Sequence, residues 1–335
     1  LGIDWTAEGI FSKSLNDVYY KNLAYEESGK TLSQTSYMNW DNRPLYTKVA
    51  DAKSFTNIYA MYNTSKGYSY SLSLSAAKHF AFGLDLNASY TFTHSESVSS
   101  MTSSVAQSNW RNTHTYRFSN NPELANSGYN VPHTVKASAF YHFNWGTNKL
   151  FTTTVGLIYQ GQSGSPYSLV YSGDINGDNG TSNDLIFIPT DAQVDQMQFL
   201  GTDAYTAEQQ RANLKQWLAT TRYVKDHRGE YFERYGDNLP FESHFDFHFG
   251  QKFGIRTGKY VHALELTLDI MNVANLLNKD WGRTFSSGYN SEFVSPITYK
   301  GDGVFQFANP SDMPLKYPSS YYSRWRGQVG LKYTF

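Results

Sequence analysis

The residues whose types and spacing could do chemistry are Asp174-Ile175-Asn176-Gly177-Asp178-Asn179-Gly180. Oxygen donors at alternate positions beside a glycine are how a calcium-binding loop begins to wrap a hard cation. Asp174, Asn176 and Asp178 are therefore the candidate calcium ligands. The run departs from that pattern twice. Its glycine comes one residue late, and the twelfth position is Leu185 where the pattern has a glutamate. Asp184 can join only if the loop folds back. The same residues also read as a string of Asx turns, in which side-chain oxygens accept from nearby backbone.

Two weaker groups stand beside it. His244, Asp246 and His248 share one face of an extended segment, which suits a metal site or the polar lining of a wet channel. Trp40, Trp110, Tyr205, Trp281 and Tyr289 lie between extended segments and offer rings for stacking on sugars or peptides. With 9 histidines and many serines, no Ser/His/Asp spacing rises above chance. No catalytic or ligand-binding residue is assigned, and the chain is read as non-enzymatic.

The last eleven residues show what must position these groups. Trp325, Gly327, Val329, Leu331, Tyr333 and Phe335 alternate with Arg326, Gln328, Gly330, Lys332 and Thr334. A strand has a period of two, so the segment has one apolar and one hydrated face. About ten residues of such alternation suffice for a tilted membrane-crossing strand. A half-buried strand of a soluble sheet would look the same in isolation. Seven further stretches repeat the pattern, giving expected strands near 1–25, 54–79, 82–98, 131–145, 149–161, 241–253 and 258–275, with the last at 321–335.

The connections alternate without exception. Residues 80–81, 146–149 and 254–258 are tight turns, whereas those at about 26–53, 99–130, 162–240 and 276–320 are long. Short turns on one side and long loops on the other are the rule in outer-membrane barrels. In the loop 162–240, Thr206 and Gln209 form a capping-box pair, and Leu214, Trp217 and Leu218 line one face of a helix near 206–221, read as packing over the barrel mouth.

Composition agrees. Among 335 residues, 17% are aromatic, with 27 Tyr and 22 Phe, yet no stretch of about 18 apolar residues exists to make a transmembrane helix. Mean hydropathy is -0.54, as expected where only every second membrane-crossing residue need be apolar. A net charge of -1 without a basic stripe argues against nucleic acid as a partner. No cysteine is present, which removes disulfides and thiolate chemistry. Beginning at Leu1 without Met or signal peptide, the sequence is expected to be a mature product or a fragment. Ser71, Ser73, Ser75, Ser89, Ser138, Thr152, Thr154 and Gly156 form much of the polar face. Such small residues would underfill an eight-stranded barrel, so a wider, hydrated one is expected.

Several motifs resemble the carboxyl-terminal half of TonB-dependent outer-membrane receptors of the Bacteroidota, in the Oar-like branch related to SusC-like transporters. They are Asn63-Thr64-Ser65-Lys66-Gly67-Tyr68-Ser69, Ser89-Tyr90-Thr91-Phe92, Ser108-Asn109-Trp110-Arg111 with Asn121-Pro122-Glu123-Leu124, Gly164-Ser165-Pro166-Tyr167-Ser168 followed by Gly173 to Asp178 and Asn183 to Pro189, and Asp269 to Gly282. The resemblance implies a barrel of about 22 strands with an amino-terminal plug, importing a ligand with energy passed from a TonB complex. This chain has no recognisable plug or TonB box and would supply about the last eight strands. It implies a Gram-negative outer membrane, with its lipid as the surrounding partner. SusC-like relatives often carry a surface lipoprotein lid, so the resemblance implies a surface lipoprotein as a secondary partner, an implication that the Oar-like features weaken. A stand-alone pore or scaffold barrel is the alternative, and an outer-membrane hydrolase a weaker one. A closed small barrel would pair Ile3–Phe11 with Trp325–Phe335; one part of a larger wall would leave both free.

Overall fold

The alternating segments form one antiparallel wall. In this computed structural model, which describes residues 2–146, 150–287, 293–307, 317–319 and 321–335, eight strands pair in chain order. They are β1 (Asp4–Lys13), β2 (Tyr68–His79), β3 (Leu84–Ser97), β4 (His133–Trp145), β5 (Phe151–Gln162), β6 (Glu242–Thr257), β7 (Tyr260–Met271) and β8 (Arg326–Thr334). Ala125–Asn126 adds a short rung beside the carboxyl-terminal end of β3. Among the described residues the strands β1 and β8 each pair on one side only, so the wall they form is an open sheet with two edges.

Register carries the two faces across the whole sheet. Leu84, Tyr141, Val155, Phe249, Leu268 and Val329 form one row over six strands. Thr6, Ser75, Ser89, Lys136, Gln160 and His244 form a row on the other face. A slip of one residue anywhere would interchange the faces. The apolar side chains are not packed between layers: Leu72 is 58% exposed and Leu331 71%. Gln251 interrupts this face, but its Oε1 accepts from Thr153 Oγ1 at 2.6 Å, and Thr153 accepts from Trp145 Nε1 at 2.8 Å. Polar atoms on the apolar face thus satisfy one another, as a medium without water requires.

Several boundaries differ from expectation. The first strand does not run to Tyr25; Ser14 still donates its N–H to Gly67 at 2.9 Å, but pairing resumes as a separate ladder of Asp17–Asn22 with Tyr59–Thr64. The expected strand 54–79 is broken at the same place. The turn expected at 254–258 is shorter, because pairing continues to Thr257 with Tyr260, and Gly258 at φ +62 makes the reversal. Residues 147–149 of the turn at 146–149 lie outside the described residues. The segment 258–275 stops at Met271. Asn272 takes a left-handed conformation, its Nδ2 donates to Gly282 O at 2.8 Å and Ser323 O at 3.2 Å, and Val273–Leu277 turns helical. The last strand starts at Arg326 rather than 321, because Ser323 closes a turn onto Ser319.

The long connections are not structureless; they hold the buried core. Pro166–Ser172 pairs in parallel with Phe293–Tyr299, which pairs antiparallel with Val304–Phe307. Around this second sheet Leu169, Ile186, Ile188, Leu214, Leu218, Phe232 and Phe305 are fully or almost fully buried. Each such side chain contributes roughly 1.5–3 kcal/mol relative to exposure. The helix α1 (Ala207–Thr220) begins at the expected box, with Thr206 Oγ1 accepting from Gln209 N–H at 3.2 Å and Gln209 Oε1 from Thr206 N–H at 2.8 Å. Leu214, Trp217 and Leu218 face the core. Gln210 is buried with them because its Nε2 donates to Leu200 O and its Oε1 accepts from Phe307 N–H.

Candidate functional site

Three long connections meet around the acidic run. From the first, Tyr46 donates its N–H to Asn176 O at 2.8 Å, and Arg43 Nη2 donates to Leu185 O at 2.9 Å. From the second, Thr115 exchanges backbone hydrogen bonds with Asn183 O and Leu185 N, and Ser119 Oγ accepts from Asn183 Nδ2 at 3.2 Å. The third carries the run itself.

Its local folding follows from Asx chemistry. Asp174 Oδ1 accepts from the Gly177 and Asp178 N–H groups at 2.7 and 3.2 Å, and Oδ2 from Asn179 at 2.8 Å. Asn176 Oδ1 accepts from Asp178 N–H, and Asp178 Oδ1 from Gly180 N–H. Gly177, at φ +83, lies where a Cβ would approach Tyr46 O to 2.8 Å. These turns curl the run until Asp178 lies beside Asp184. One oxygen each from Asp174, Asp178 and Asp184 then lie within 4.8 Å of one another. Asn176 is placed differently: its Nδ2 donates to Arg117 O at 3.3 Å and faces Asp178 Oδ2 at 3.5 Å, so its carboxamide braces the loop.

Burial shapes the electrostatics. It pushes the Asp178 carboxyl up to about 7, with Asp174 adding to the rise. Burial, then Asp178, holds Asp184 well above the usual carboxylate range, against the Arg43 guanidinium and the Ile175 N–H. Asp174 is raised by burial, opposed by the N–H groups it accepts from. Burial pulls Arg43 down, but Asp41, Tyr171 and Asp184 outweigh it and keep the guanidinium charged. Arg43 Nε holds both oxygens of Asp41, and Tyr231 Oη donates to Asp41 Oδ1 at 2.8 Å.

A cavity of about 370 Å³ opens beside this cluster, lined by Glu96, His114, Thr115, Tyr116, Glu123 and Arg234 among others. Arg234 is fixed by donating Nη1 to Val98 O at 2.7 Å and Nη2 to Glu123 O at 3.1 Å. His114 is buried against the Phe293 and Tyr235 rings, and neither ring nitrogen has a hydrogen-bond partner. Burial, with Arg234 nearby, lowers it to about 3, so it is neutral.

His244, Asp246 and His248 line the polar face but do not converge. His244 Nε2 meets Thr284 Oγ1, Asp246 Oδ1 accepts from Asn272 N–H, and His248 Nδ1 meets Asp269 Oδ1 at 2.6 Å. Among the described residues, Asp174, Asp178 and Asp184 form the one group of acidic or histidine side chains close enough to share an ion. Trp110 cannot stack on a ligand, being buried against Tyr59 with its Nε1 donating to Asn120 Oδ1. Trp40 packs against the core and Tyr205 is half-buried, whereas Trp281 is exposed. Tyr289 lies outside the described residues. Spacing alone did not bring out Arg43, Asn183 or His114, whose roles arise from distant partners.

A family model described as an outer membrane beta barrel domain matches residues 9–293. No curated protein matches the chain, and no solved structure does.

Proposed function

Because the chain belongs to the outer membrane beta barrel domain family and so to the outer membrane, we propose that it forms the carboxyl-terminal wall of a TonB-dependent transporter. Its unpaired edges support this reading. A bilayer offers no water to satisfy backbone N–H and C=O groups, so a lipid-crossing sheet has to close on itself. Among the described residues β1 pairs with β2 alone and β8 with β7 alone, so further strands would complete the wall. The motifs from Gly164 to Pro189 and from Asp269 to Gly282 favour the Oar-like, SusC-related branch of the Bacteroidota. In this reading the folded extracellular connections capture a ligand. It then passes along the hydroxyl-rich face when a plug is displaced by energy from a TonB complex. A surface lipoprotein is a secondary partner, nucleic acid is not one, and no enzymatic step is assigned.

The strict chain-order pairing of eight strands favours a second reading, a stand-alone pore or surface scaffold, which would need β1 to seal onto β8. The mass of the full polypeptide from purified outer membranes separates the two. The transporter reading expects a chain far longer than 335 residues, and ligand uptake that stops when TonB is removed. A native chain of about this length, forming pores in vesicles without TonB, would overturn it.

A further inference from the structure

We propose that Asp174, Asp178 and Asp184 bind a calcium ion that closes their own long connection on itself, at the place where two other long connections grip it. Oxygens bound at about 2.4 Å to one ion stand at most about 4.8 Å apart, and these three meet that limit. A second observation points to a ligand. Asp184 is fully buried, and although the Ile175 N–H and Arg43 Nη1, the latter at 3.5 Å, face its carboxylate, neither makes a hydrogen bond of good geometry to either oxygen. The Asn183 carboxamide, which touches Asp178 through Nδ2 at 2.9 Å, is also fully buried and its Oδ1 has no partner. Buried polar atoms in native proteins are overwhelmingly satisfied, so several unsatisfied oxygens in one place call for a cation.

Arg43 does not fill that role. Its Nε is engaged by Asp41 and its Nη2 by Leu185 O, leaving Nη1 at 3.5 Å from Asp184. Three carboxylates therefore share a fraction of one positive charge, and buried charges are expensive unless paired. The donors are all oxygen, which selects a hard ion over a transition metal. Calcium suits the buried setting better than magnesium, which gives up its water shell reluctantly. Asn183 Oδ1, buried and unpartnered beside Asp178, is a further oxygen available to the ion. The ion would hold the third connection closed on itself where Arg43, Thr115 and Ser119 of the other two already grip it.

The test uses the full polypeptide, purified from outer membranes in detergent and stripped with chelator. Calcium is then titrated calorimetrically, alongside thermal unfolding, and the same is done for Asp178→Asn, Asp184→Asn and the half-exposed, milder Asp174→Asn. The expected result is one calcium per chain that the variants bind at least about tenfold more weakly, with a calcium-dependent rise in melting temperature present in the parent and reduced in the variants. If Asp184→Asn fails to fold, Asp174→Asn and the chelator response of the parent carry the test. No calcium binding by the parent, unchanged affinity in folded variants, or equal affinity for magnesium would each overturn the assignment. None of these readouts depends on transport, so failure here leaves the transporter reading standing.

Discussion

Arg43 and Asp184 form an ion pair across 3.5 Å with both side chains sealed from solvent, and the same guanidinium stands over the Tyr171 and Tyr231 rings. One cation thus ties the connection after β1 to the one after β5. Replacing it with an apolar residue leaves Asp41 and Asp184 buried without their partner. Arg43→Met should therefore cost about 3–5 kcal/mol, seen as a lower melting temperature and faster proteolysis of the long connections. An unchanged melting temperature would remove this residue from its structural role.

At Gly177 two demands coincide, a left-handed φ of +83 and a neighbouring Tyr46 carbonyl that a Cβ would approach to 2.8 Å. Gly177→Ala should destabilise the acidic loop by about 1–3 kcal/mol. Limited proteolysis should find the cut between Gly173 and Asn183 accelerated. The exposed Gly29→Ala, strained at φ +75 but with nothing near its added methyl, should leave that loop's protection intact.

His114 links stability to pH. Burial, with Arg234 beside it, puts its folded value at about 3, whereas a free histidine takes up its proton near about 6.5. Between those values the unfolded chain binds a proton that the folded chain refuses, so stability rises with pH through this window. The contribution is fully present above about 6.5 and is lost toward pH 3, with a slope approaching about 1.4 kcal/mol per pH unit. His114→Phe keeps a ring against Phe293 without the titrating group. The melting temperature of the parent minus that of His114→Phe should fall as pH drops from about 7 to 4; a flat difference would contradict the assignment.

The two faces of the wall should respond oppositely to charge. Leu157 lies midway along β5, flanked by Ala139 and Phe247 on the outward face. Leu157→Arg should cost about 2–4 kcal/mol in a bilayer, read as a shift in the urea midpoint of folding into lipid vesicles. Ser71→Lys, on the opposite face between Ile10 and Thr93, should stay within about 0.5 kcal/mol. Equal penalties at both positions would contradict a lipid-facing and a water-facing side.

The wall was legible because its rule is local. Lipid on one side and water on the other act on every strand separately, so a period of two in β8 or β5 records the environment without reference to any partner. The helix α1 was legible for the same reason: Thr206 and Gln209 cap it within one turn, and Leu214, Trp217 and Leu218 repeat at helical spacing. Sequence failed where a segment obeys distant partners. The break after Lys13 depends on Gly67, and the end of β7 depends on Asn272 reaching Gly282 and Ser323.

The acidic site divides along the same line. Asp174, Asn176 and Asp178 were visible because Asx turns are built from neighbours in sequence. Only the tertiary structure could turn Asn176 into a brace, bring Asp184 to Asp178, bury both and set Asp184 against Arg43. Those outcomes require the closure of long connections and the loss of solvent around charged groups, and neither leaves a periodic trace in the order of the residues.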